Sequence, residues 1–244
     1  MVTRQMAFSI RRREFTHHTE QVHAAGGESV RDLMLGLNDG LVASLAVTSG
    51  VSGAFTAQRV VVMAGLSEML GGAVSMGLAG FISARSQIEF YQSEIEREHL
   101  EMHRWPDRER EEIRAIYRGK GFTGKLLDQI VDHITSDPKR WSDVMMREEL
   151  GLSGDFDSPG RSGVTVGLAY LAGAAVPVFP YLFVQPARGV IVSAIATLFA
   201  LFVVGAAKTL ITTRSWWRSG LESALTGAAA AAATFAAGSL FSRF

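Results

Sequence analysis

Five stretches of about twenty apolar residues, separated by short polar breaks and one long charged one, limit this chain more than any other feature. They run from about Leu33 to Ala54, Val60 to Ile82, Val164 to Val184, Gly189 to Ile211 and Leu221 to Phe241. Each is long enough, as a helix, to cross the roughly 30 Å hydrocarbon core of a bilayer. The charges sit elsewhere. Of the 24 Asp and Glu residues, 15 lie between Arg85 and Gly151, and so do 12 of the 24 Lys and Arg. The expected fold class is therefore an all-α integral membrane protein with five transmembrane helices. A helical insert, 85–151, falls between spans two and three, with spans at 28–84 and 152–244 and a mobile tail at 1–27.

A formal net charge of zero gives no basic stripe and argues against a nucleic-acid partner. With no cysteine, thiolate ligands and disulfide chemistry are excluded, so any metal site must use carboxylate, imidazole, thioether or backbone oxygen. The tail carries Arg11, Arg12 and Arg13 but no apolar core, unlike a signal peptide. Arg31, the insert, Arg214 and Arg218 fall on the same side as this tail, whereas Arg59, Arg188 and Arg243 fall on the other. The positive-inside rule makes the N-terminus and the insert cytosolic.

Within the insert, Arg85 to Arg104 continues span two without a breaker. Trp105-Pro106-Asp107 stops that helix and starts another, which ends at Gly119-Lys120-Gly121. Further helices are expected from about Thr123 to Thr135 and, beyond Asp137-Pro138, from about Lys139 to Leu150.

Two acids lie inside apolar spans, Asp39 in the first and Glu68 in the second. An ionised carboxylate there costs several kcal/mol unless it meets a partner or water. Glu68, Gly72, Ser75 and Met76 recur at four- and three-residue steps, placing a carboxylate and a thioether on one helix face. The bland alternative is that Asp39 hydrogen-bonds within the bundle and Met76 fills space. Gly36 and Gly40 form a GxxxG, and glycines stud span two, which predicts close packing between the first two spans.

In the insert, Glu94, Glu98 and Glu101 share a face, Glu109 and Glu112 repeat the three-residue step, and Met145, Met146 and Glu149 close the last helix. Like charges so spaced favour bound cations or raised pKa values. The competing reading is a solvated acidic face interleaved with Arg97, Arg108, Arg110 and Arg114. Two Glu-x-x-His pairs, Glu20 with His23 and Glu96 with His99, suggest a di-iron bundle only weakly.

The segments Arg31-Asp32-Leu33 and Gly36-Leu37-Asn38-Asp39-Gly40-Leu41 resemble the first span of the vacuolar iron transporter family. Ser75-Met76-Gly77-Leu78-Ala79-Gly80-Phe81, Pro177-x-x-Pro180-Tyr181 and, in the insert, Arg97-Glu98, Pro106-Asp107, Asp137-Pro138 and Met145-Met146-Arg147 extend the likeness over about residues 28–241. Asn38 departs from the small residue expected beside Asp39. The resemblance implies a homodimer in the lipid bilayer with the ion path between subunits. It implies Asp39, Glu68 and Met76 as pathway residues, and Glu98, Glu101, Glu109, Glu112, Met145, Met146 and Glu149 as ligands in the insert. Function is expected to be export or sequestration of cytosolic Fe2+, with Mn2+ as a second ion, by proton antiport. The membrane would be vacuolar in a eukaryote and the inner membrane in a bacterium. No enzymatic activity and no prosthetic group are expected; the alternative is a membrane-anchored iron storage or ferroxidase module.

Overall fold

The computed structural model describes residues 20–154, 156–210 and 215–242, with side chains from residue 29 onward except at Leu210. The described residues form eight α-helices and two short 3-10 turns. In chain order they are α1 (Glu20–Ala54), α2 (Gln58–Arg104), α3 (Pro106–Gly119), α4 (Gly124–Thr135), α5 (Pro138–Glu148), α6 (Pro159–Val178), α7 (Pro186–Ala207) and α8 (Trp216–Phe241). Five of them, α1, α2, α6 with the turn after it, α7 and α8, are long and apolar enough to cross a membrane.

Helix α1 begins inside the segment assigned to the tail. Gly26-Gly27 does not interrupt it, since a mid-helix glycine costs only about 1 kcal/mol against alanine. That end is held from outside the helix. Ser29 donates to Asp157 at 2.9 Å, and Ser162, near the start of α6, donates to the buried Asp32. Residues 1–19, including Arg11 to Arg13, His17 and His18, lie outside the described residues, as do the side chains of Glu20 and His23.

Helix α2 runs 47 residues, about 70 Å at 1.5 Å per residue, more than twice the thickness of a hydrocarbon core. Its part beyond Ile82 therefore projects as the stem of the insert. Trp105 ends it through a backbone bond to the Glu101 carbonyl, and Pro106 opens α3 at a position where a missing N–H costs nothing. Asp137 caps α5 by accepting from the Arg140 N–H at 2.8 Å. Helices α3, α4 and α5 close over a small core of Ile113, Leu127, Val131, Ile134 and Met145.

Helix α6 is the centre of the bundle and packs against both α1 and α2. Pro177 lies within α6, near its end, and its carbonyl accepts from Ser193 of α7 at 2.8 Å. The chain then tightens into a 3-10 turn, Phe179–Leu182, at Pro180. Helix α8 starts before the expected Leu221, taking Trp216, Trp217 and Arg218 into the helix.

The GxxxG of α1 corrects one expectation. Helices α1 and α2 touch, but Gly36 and Gly40 face α6 instead. A Cβ at Gly36 would lie 2.4 Å from the Val166 carbonyl oxygen, and one at Gly40 2.2 Å from that of Tyr170. The close approach is internal to the chain because the backbone of α6 occupies both notches.

Candidate ion pathway and acidic insert site

Inside the bundle, α1 supplies Asp39, α2 supplies Glu68 and Met76, and α6 supplies Tyr170. The first three are each half-buried, and Tyr170 is buried. Asp39 enters no hydrogen bond or ion pair among the described residues. Glu68 is partly engaged. Its Oε1 accepts from the Tyr170 hydroxyl, while its Oε2 is buried without a hydrogen-bond partner among the described residues.

Gly72 explains how Tyr170 reaches Glu68. The tyrosine ring lies across α2 where a side chain would otherwise stand, and a Cβ on Gly72 would come within 2.2 Å of the hydroxyl. Gly72 and Glu68 are one turn apart, so the ring crosses one and its hydroxyl meets the other. Asp39 also lies within electrostatic reach of that hydroxyl. Tyr170 is the residue that sequence reasoning missed. A tyrosine in an apolar span is a visible signal, but nothing in the sequence pairs it with a glycine a hundred residues away. Ser75, placed with Met76 by its spacing, is exposed on the outward side of α2.

The second site is in the insert, where the stem of α2 meets α3 and α5. Glu98 and Glu109 are completely or almost completely buried, with Met102, Met145 and Met146 also buried. Among the described residues, neither oxygen of Glu109 and only one of Glu98 has any partner. Burial first, then the charges of Glu149 and Glu101, push the Glu98 carboxyl from its ordinary 4.5 to about 7. Glu109 is pushed to about 7 by burial and then by Glu112 and Glu98. Glu149 is raised too, by burial and then by Glu112 and Glu101.

Five of the expected acids, Glu98, Glu101, Glu109, Glu112 and Glu149, thus lie within electrostatic reach of one another. Countercharge comes from the rim. Arg97 sits 2.8 Å from Glu94, 3.8 Å from Glu101 and 4.0 Å from Glu98, and Arg108 sits 3.1 Å from Glu112. Of the two expected thioethers, Met145 packs in the apolar core of α3–α5, and Met146 is buried outside that core. Among the described residues no three His, Asp or Glu side chains converge on a common point close enough to grip an ion as they stand. The acids are gathered, yet splayed.

Comparison with known proteins identifies relatives over most of the chain. The profile of the VIT family matches residues 30–239. Vacuolar iron transporter 1 of Eucalyptus grandis is 39% identical over 220 residues, covering 88% of this chain and 88% of that protein. Vacuolar iron transporter 1 of Arabidopsis thaliana is 39% identical over 223 residues, covering 90% and 88%. Protein CCC1 of Saccharomyces cerevisiae is 31% identical over 221 residues, covering 84% of this chain and 67% of that protein. With its membrane helices, charged insert and near-complete match, the chain belongs to the VIT family.

Proposed function

We propose that the protein carries Fe2+, and Mn2+ as a second ion, out of the cytosol across a membrane in exchange for protons. One observation carries the reading: carboxylate oxygens are buried at two separate places, on Glu68 in the bundle and on Glu98 and Glu109 in the insert, and among the described residues too few donors reach them. A buried anion without hydrogen bonds is costly, so each site must bind either a proton or a cation. A site that alternates between the two is the chemical requirement for proton-coupled metal transport.

The insert serves as the collecting site. Glu98, Glu101, Glu109, Glu112 and Glu149, facing the cytosol, draw divalent ions from dilute solution and close around them, the cation removing the repulsion that splays them. Met146 and Met145 add soft sulfur, which favours Fe2+ over Mg2+ and Ca2+. Asp39, Glu68 and Met76 then pass the ion through the bilayer. A ferroxidase or storage module anchored by the spans would leave Asp39 and Glu68 without a role, since an anchor needs no buried acid.

The path is completed by a second copy of the chain. Ser67, Gly71, Ser75 and Ala79 are exposed on α2 at four-residue steps, and a Cβ on Gly71 would meet nothing within 4 Å. Small residues so spaced admit another helix closely. The decisive experiment is Fe2+ and Mn2+ uptake by proteoliposomes containing a pH dye. Metal entry accompanied by proton exit supports the proposal. Metal entry without any pH change removes the antiport, and no entry removes transport altogether.

A further inference from the structure

The stem of α2 has a second face. Stepping 100° per residue, Glu96, His99 and His103 centre roughly 170° from Glu94, Glu98 and Glu101, on the opposite side of the helix. All three are exposed, and none enters a hydrogen bond or ion pair among the described residues. Their acidic neighbours on the stem are occupied: Glu89 pairs with Arg85 at 2.7 Å, and Glu94, Glu98 and Glu101 share Arg97. The nearby Arg104 guanidinium is turned onto the Trp105 ring, 5.0 Å from its centroid. Among the described residues no ion pair or cation contact is made by the histidines.

We propose that His99 and His103 form a two-imidazole clamp for a borderline divalent transition-metal ion, distinct from the carboxylate site. Histidines four residues apart lie one above the other on a helix, with about 5–6 Å between their Cβ atoms, which suits both imidazoles to one ion. The stem is packed at that point, where Glu98 and Met102 on its other side are buried. Glu96, one turn earlier, is placed to add a carboxylate once an ion is held, although the three do not converge as they stand. Nitrogen donors follow the order Mn2+ < Fe2+ < Co2+ < Ni2+ < Cu2+. This face therefore takes Ni2+ or Cu2+ readily and Mn2+ poorly, whereas the carboxylate site is less discriminating.

The test uses full-length protein in detergent with His17, His18 and His23 replaced by glutamine, and Cu2+ as the paramagnetic probe. Electron paramagnetic resonance should show a saturable component with two nitrogen ligands. His99→Gln and His103→Gln should each weaken it on the order of a hundredfold, because one-point binding replaces two-point binding. It should persist in Glu98→Gln/Glu109→Gln, a variant that disables the carboxylate site and so separates the two proposals. A Ni2+ excess should displace the Cu2+ component and a Mn2+ excess should not. An unchanged two-nitrogen signal in His99→Gln/His103→Gln overturns the clamp, as does its loss in Glu98→Gln/Glu109→Gln.

Discussion

The bundle and the insert both bury acids, but under different rules. In the bundle, Asp39 and Glu68 stand among apolar side chains, and Tyr170 supplies the one neutral donor that reaches Glu68. In the insert, five acids crowd together, with Arg97 and Arg108 at the rim. The first arrangement holds few charges and discriminates strongly between charged and neutral occupants. The second holds many like charges that raise one another's pKa, a repulsion that a cation or protons would relieve. A gate calls for the former, and a collector for the latter.

The sharpest way to break this distinction is Asp39→Asn. It keeps the shape and removes the charge, and the half-buried side chain has no partner to lose. Flux into proteoliposomes should fall roughly a hundredfold or more, the equivalent of about 3 kcal/mol for one charge-assisted contact. Metal binding by the insert should be unchanged. If Asp39→Asn transports normally while Glu98→Gln/Glu109→Gln is dead at every metal concentration, collector and gate have been assigned the wrong way round.

Next in size is the Gly72–Tyr170 contact. Gly72→Ala places a methyl within 2.2 Å of the Tyr170 hydroxyl, so the ring must leave its position over α2. Overpacking of this kind costs about 1–3 kcal/mol, which would appear as a lower melting temperature together with reduced flux. Tyr170→Phe keeps the ring and deletes the hydroxyl, separating packing from hydrogen bonding. It should retain the wild-type melting temperature within a few degrees and lose about tenfold in flux, since Glu68 then has no donor. Equal behaviour of Tyr170→Phe and wild type would reduce Tyr170 to a spacer.

The insert is broken by pH, and here the sign distinguishes proton from metal. Glu98 and Glu109 titrate near 7 in the folded chain against an ordinary 4.5. The folded state therefore holds these protons more tightly than the unfolded one. Without metal, the stability they contribute is fully present below about 4.5 and is lost as pH rises through about 7. Protection of the α3–α5 amides, measured relative to the intrinsic exchange rate at each pH, should accordingly fall as pH rises from about 4.5 to about 7 in the metal-free protein. With Mn2+ the trend reverses, because the ion must displace those protons. Affinity should weaken by about tenfold for each unit below pH 7 while one proton is displaced. Protection and affinity that are both flat across this range would remove the proton from the account of Glu98 and Glu109.

Much of this was readable in the sequence because hydropathy, helix breaks and acid spacing are local. The five spans, the stem continuing to Arg104, and the starts at Pro106 and Pro138 all follow from residues within a few positions of one another. What escaped depends on distant partners. Gly36 and Gly40 announce a close helix contact without saying with which helix, and the answer was α6. Gly40→Leu is consequently a folding variant, and the dimer is better tested at Gly71, whose side is open. Gly71→Leu should weaken association in mild detergent and leave the melting temperature of the protomer nearly unchanged. Met145, an expected ligand beside Met146 and Glu149, is also a member of the insert's apolar core. Its burial in a core shared with Ile113 and Val131 depends on how three helices close, which spacing along one helix does not encode.

The smallest effect should come from Met76. A thioether contributes no charge, so Met76→Leu removes neither the attraction that draws a divalent ion to Asp39 and Glu68 nor the acids' ability to take up protons. Leucine nearly conserves the volume of a half-buried side chain, so packing should cost under about 1.5 kcal/mol. What it does remove is a soft donor one turn beyond Gly72, and soft donors matter more to Fe2+ than to Mn2+. Flux measured with each ion alone should change by less than about threefold, but competition between them should move toward Mn2+. Because the insert also contains methionines, the measurement should be repeated in Met146→Leu. That variant should shift competition only at metal concentrations low enough for collection to limit the rate. If Met76→Leu leaves the ranking untouched at every concentration while Met146→Leu moves it, ion selection belongs to the collector and the pathway distinguishes only charge.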